Sequence, residues 1–110
     1  MKPITSVYSV FSGPEEAERI GRAMVEQRFA ACVNIIGPCH SIFRWEGEVQ
    51  QAQEVAALFK TSTDRAPALI EAIVAMHSYD VPAAVAWPIS EAVPAYADWV
   101  VEETAAAEGV

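Results

Sequence analysis

Two residues of this 110-residue chain, Cys32 and His77, have side chains suited to a soft or borderline metal ion. A thiolate suits copper or zinc, and an imidazole ligates metals or accepts a proton near neutral pH. Each also has a purely structural reading. A lone cysteine in a strand is commonly a small buried hydrophobe. A histidine closing a helix is satisfied by a backbone carbonyl, where the helix dipole favours its positive form. Cys39 and His40 are adjacent, so a regular strand sends them to opposite faces and they do not chelate one ion. The absence of CxxC, HxxxH and HExxH spacings argues against a dedicated mononuclear zinc site.

A second group suits ligand binding better than metal. Glu54 and Lys60 share strand parity and hence one face of a sheet. They either line a cleft for a polar or anionic ligand or form an ion pair between subunits. Trp45 and Trp99 offer rings that stack on a ligand or anchor an interface. Catalysis has little to work with. A nucleophilic cysteine needs a nearby base, and nothing in the order of residues sets Cys32 or Cys39 beside His77. GxSxG, P-loop and GxGxxG patterns are missing. The expectation is a binding or regulatory protein and not an enzyme.

Composition narrows the partners. Fifteen acidic against seven basic residues leave a net charge of −8, which disfavours nucleic acid and anionic membrane surfaces. No apolar run approaches the ~20 residues that span a bilayer, and Met1-Lys2-Pro3-Ile4 does not begin an apolar signal segment. Cys32 and Cys39 lie on one expected strand, ~23 Å apart if it is regular, beyond the ~7 Å reach of a disulfide. Two free thiols fit a reducing cytoplasm. Hydrophobic residues are 53% of the chain, enough for one core and high for a monomer, so some apolar surface is expected to meet other copies.

The elements that must position these residues follow from periodicity. Ile4 to Phe11 reads as a buried strand. Ser12 and Glu15 read as a capping box opening a helix that runs to about Gln27, with Gly21 on its apolar stripe. Cys32–Trp45 and Glu48–Thr61 read as strands joined at Glu46-Gly47, with a bulge or edge position forced by Gly37-Pro38. Arms of this length reach ~46 Å, more than the ~34 Å diameter of a globule of this size. The hairpin therefore bends or projects, and a projecting apolar ribbon calls for a neighbouring copy. Asp64 is expected to cap a second helix, followed by the loop Ser78–Pro82, a strand over Ala83–Ile89 and a last helix from Pro94 to about Glu108. The order β-α-β-β-α-β with an added helix predicts an α+β ferredoxin-like sandwich, one domain over residues 1–110, with two helices on one face of a four-stranded sheet.

The stretches Ala31-Cys32-Val33-Asn34, Ser41–Gly47, Lys60-Thr61 and His77-Ser78-Tyr79-Asp80-Val81-Pro82 resemble the CutA family of divalent-cation tolerance proteins, in order and in spacing. The resemblance runs from Val7 to about Glu102. It implies a ferredoxin-like fold, a homotrimer built through long hairpins, a cytoplasmic location and a link to copper. It further implies a likeness to PII signalling trimers, which bind small molecules between subunits. Within it, Cys32 and His77 become the metal-ligand candidates. Trp45, Glu54, Lys60, Tyr79 and Trp99 become the ligand-binding ones. The chain departs from the family's pattern at Ser78, where a proline is usual, at Asp80, where glutamate is common, and at Glu91–Pro94.

Overall fold

A computed structural model describes residues 1–105. Strand β1 (Ile4–Phe11) leads into helix α1 (Pro14–Glu26), then the long hairpin of β2 (Cys32–Trp45) and β3 (Glu48–Ser62). A 3-10 turn, Thr63–Arg65, precedes helix α2 (Ala66–Met76); β4 (Ala84–Ile89) and α3 (Pro94–Glu103) complete the chain. All strand pairs are antiparallel in the order β2-β3-β1-β4, as expected of a ferredoxin-like sheet. Pro38 and Pro88 both fall on the outer strands β2 and β4, where a missing N–H breaks no interior ladder.

Three local expectations are corrected. Gly13, not Ser12, is the N-cap of α1, and Glu16, not Glu15, reaches back to Ser12. The reason is Pro14: it takes the first helical position, which shifts the third to Glu16. Asp64 does not cap α2, because it lies inside the 3-10 turn and Arg65 takes the cap position. The last helix ends at Glu103, where Thr104 turns its hydroxyl back onto the Val100 carbonyl at 2.7 Å. The segment 106–108 of the expected helix lies outside the described residues.

Alternation along the strands sorts side chains onto two faces. Val7 and Phe11, with Phe59 from β3, pack against Ile20 and Met24 of α1 and Leu69 and Ile73 of α2. Gly21 lets α1 approach this layer: a Cβ there would stand 3.1 Å from Val33 of β2. The opposite face carries Ile4, which packs with Ala97 and Val100. Helix α3 thus covers part of the face that two helices were expected to leave bare. Farther along it, Tyr8 stacks on Trp87 at 5.2 Å, and Val85 and Trp87 stay exposed.

The turn residues Glu46 and Gly47 have φ values of 50° and 82°, the two positive values that a two-residue hairpin matching the strand twist requires. Register slips between Ile35 and Gly37, and Gly37 adopts φ 120°. This bulge restores Gly37, Cys39, Ser41, Phe43 and Trp45 to the face already occupied by Cys32 and Asn34. Pairing of β1 with β3 stops at Phe11–Val55, so the arms from Cys39 to Glu54 continue as a two-stranded ribbon. The longest dimension is 45 Å. The hairpin projects.

Candidate functional site

Where the ribbon leaves the sheet, the loop after α2 folds against it and is tied down from both sides. The Ser9 hydroxyl donates to the Ala83 carbonyl at 2.7 Å. Inside the turn, Tyr79 N–H donates to His77 Nδ1 at 3.1 Å. An accepting Nδ1 leaves the ring proton on Nε2, which donates to the Val10 carbonyl at 2.8 Å. The His77 ring is fully buried, stacked on Phe11 at 5.1 Å. Both of its nitrogens are therefore committed, which is the structural reading of this residue.

Glu16 holds the loop from the helix side. One carboxylate oxygen accepts from the Ser12 N–H and hydroxyl, both at 2.9 Å; the other accepts from Ser78 N–H at 2.8 Å. Burial pushes its pKa up, but the hydrogen bonds from Ser12 and Ser78 outweigh burial and hold it at about 2. Ser78, at the position where a proline is usual in the family the sequence resembles, supplies an N–H that proline lacks. From the ribbon side, the Tyr79 hydroxyl donates to Glu54 Oε2 at 2.7 Å. Burial first, then that bond and the Glu54 charge, push the Tyr79 phenol up to about 12.

Between loop and ribbon lies a hollow of about 590 Å³, walled by Phe43, Trp45 and Tyr79 with Glu54 and Asp80 at its polar side. Three of the five expected ligand-binding residues, Trp45, Glu54 and Tyr79, meet here. The other two do not. Lys60 shares a face with Glu54 as parity required, yet lies six residues along β3 and donates to Asn34 Oδ1 at 3.0 Å. Trp99 sits on α3, tilted against Tyr96 at 5.8 Å. Sequence reasoning missed Phe43 as a wall of the hollow and Glu16 as the anchor of its loop. Phe43 shares alternation with Trp45, a signal that was there to use; the signal for Glu16 was Pro14.

The metal-ligand candidates are not brought together. Cys32 faces α3 and touches the Tyr96 hydroxyl at 3.5 Å, while His77 is buried against Phe11 on the opposite face. Burial, then the bond and charge of Cys32, push the Tyr96 phenol up to about 12. Cys32 and His77 of one chain thus do not fit a shared copper ion, and His77 has no free nitrogen to offer. Among the described residues no group of three His, Cys, Asp or Glu side chains is placed to hold a metal ion. Both cysteines are free thiols, and Cys39 and His40 point to opposite faces of β2 as alternation requires.

The profile of the CutA1 divalent ion tolerance protein family matches residues 5–103. The divalent-cation tolerance protein CutA of Thermus thermophilus is 49% identical over 90 residues, covering 82% of this chain and 87% of that protein. The Protein CutA of Mus musculus is 35% identical over 92% of this chain, which spans only 57% of the mouse protein. A solved structure of the Thermus thermophilus divalent cation tolerance protein superposes with a TM-score of 0.89 at 44% identity, covering 93% of this chain and 99% of that one.

Proposed function

Because this chain belongs to the CutA1 divalent ion tolerance family, we propose that it serves cation tolerance as a homotrimeric regulatory protein that takes a small ligand in the hollow beside its hairpin. The supporting observation is the convergence of Trp45, Glu54 and Tyr79 on that hollow, with the Tyr79–Glu54 hydrogen bond joining loop to ribbon. Aromatic walls with a few polar groups are the usual make-up of a small-molecule site. The likeness to PII trimers that the family resemblance implies points the same way. A cytoplasmic location belongs to this proposal and accords with two unbridged thiols. No helix among the described residues is long and apolar enough to cross a membrane.

Direct sequestration of copper by Cys32 and His77 is not part of this reading, since His77 is already fully bonded. Copper titration by calorimetry separates the two accounts. Wild type and Cys32→Ser, each first confirmed as a trimer by light scattering, are expected to give superimposable isotherms. Loss of copper binding in a folded Cys32→Ser trimer would overturn the regulatory reading in favour of metal capture. A metabolite screen by thermal shift then tests the hollow itself: a stabilising compound should lose its effect in Trp45→Ala.

A further inference from the structure

The hollow beside the hairpin carries a specific charge. Glu54 is only 8% exposed, and its Oε2 is engaged by Tyr79. Its Oε1 accepts no hydrogen bond among the described residues and is not sealed from solvent, and the residue lines the hollow. Asp80 adds a second carboxylate at the rim. No lysine or arginine is among the lining residues. A nearly buried carboxylate without a counter-charge is unfavourable until a cation arrives. The remaining wall is aromatic: Phe43 and Trp45 are partly exposed, and Tyr79 closes the loop side. Ring faces attract cations as well as apolar bodies.

An inorganic divalent ion does not suit this lining. No histidine or cysteine lines the hollow, which leaves out the nitrogen and sulfur donors of a transition metal, and among the described residues no group of three His, Cys, Asp or Glu side chains is placed to hold an ion. An organic cation meets every feature at once. Its ammonium or guanidinium group donates to Glu54 Oε1, and its apolar body lies on the aromatic wall. We infer that the hollow binds a small organic cation, an amine or guanidine carrying an apolar or aromatic body. The inference rests on the hollow being a ligand site, as proposed above, and adds the chemical class of its ligand.

Three probes that share a phenethyl body test it by calorimetry: phenethylamine, cationic near neutral pH; phenethyl alcohol, neutral; and hydrocinnamate, anionic. Wild type is expected to bind phenethylamine at least about tenfold more tightly than either of the others, as a charge-assisted bond to a buried carboxylate implies. Glu54→Gln should remove that preference, and Trp45→Ala should weaken the amine about fivefold. Trp45 is 45% exposed, so its truncation is compatible with folding even if Glu54→Gln is not. Equal or tighter binding of the alcohol or the anion, lost in Trp45→Ala, would overturn the cationic class while leaving the hollow a ligand site. Absence of all three in wild type and in Arg44→Ala alike would overturn the inference and the ligand-site reading together. Phenethylamine binding that appears only in Arg44→Ala would show the guanidinium of a neighbouring copy as the occupant, and would overturn a small molecule. Arg44 is the one arginine or lysine on the projecting ribbon.

Discussion

Three donors converge on Glu16, and one of them exists because of a single side-chain choice. Proline at position 78 would delete the N–H that meets Glu16 Oε2. The Glu16 carboxyl is held at about 2, against an ordinary 4.5. Its folded pKa lies below its unfolded one. The linked stability is therefore complete above about 4.5 and is lost as pH falls through about 2. We expect it to be worth about 1–2 kcal/mol, below the ~3 of the full shift, because glutamine keeps an acceptor oxygen for part of the same hydrogen bonds. Urea titrations of wild type and Glu16→Gln at equal protein concentration should differ by that amount near neutrality and converge in strong acid. Ser78→Pro should raise the Glu16 pKa, read by carboxyl carbon NMR. An unchanged value would show that Ser12 alone sets it.

At the scale of elements, α1 and the long hairpin meet where Gly21 faces Val33. Alanine at position 21 gains helix propensity, but its Cβ would stand 3.1 Å from Val33 Cγ1. A larger side chain has no such choice. Gly21→Val should destabilise by about 1–3 kcal/mol through overpacking, and Val33→Ala in the same chain should recover part of it. Denaturation of the two single variants and the double variant supplies the coupling directly. Additive losses would mean that Gly21 is required by the helix backbone and not by its neighbour. Hairpin register is set by other means: the Glu46-Gly47 turn fixes the pairing, and the bulge at Ile35–Gly37 decides which face Phe43 and Trp45 share.

The whole molecule is elongated because the ribbon from Cys39 to Glu54 has no third strand. Ile42 and Val49 on the ribbon are 68% and 64% exposed. That is a poor state for a lone chain and a usable surface for an assembled one. If the protein is a trimer held through this ribbon, unfolding is coupled to dissociation and Tm rises with protein concentration. Ile42→Glu with Val49→Glu adds like charge to a chain already at −8, and should yield smaller species in sedimentation velocity with the sheet intact by circular dichroism. A wild-type Tm independent of concentration, together with a monomer mass, would remove the trimer from the proposed function.

Which segments become strands and helices was legible in the residues themselves, because alternation and helical spacing are local. Ile4–Phe11, Cys32–Trp45 and the Glu46-Gly47 turn are read from neighbours a few positions away, and the structure keeps those limits. The order of these elements then leaves few ways to pair four antiparallel strands. Glu54 and Lys60 were placed correctly on one face by parity alone, but parity is silent on distance, and they serve different neighbourhoods. The position of the bulge was within reach of Gly37-Pro38, yet its consequence, Cys32 and Trp45 sharing a face, depends on pairing with β3. The environment of His77 was not legible at all. Its two bonds come from Val10, 67 residues earlier, and from the loop it begins, and its stacking partner is Phe11. A side chain's chemical type is written in the sequence; whether its nitrogens remain free for a metal is decided only when distant backbone folds against it.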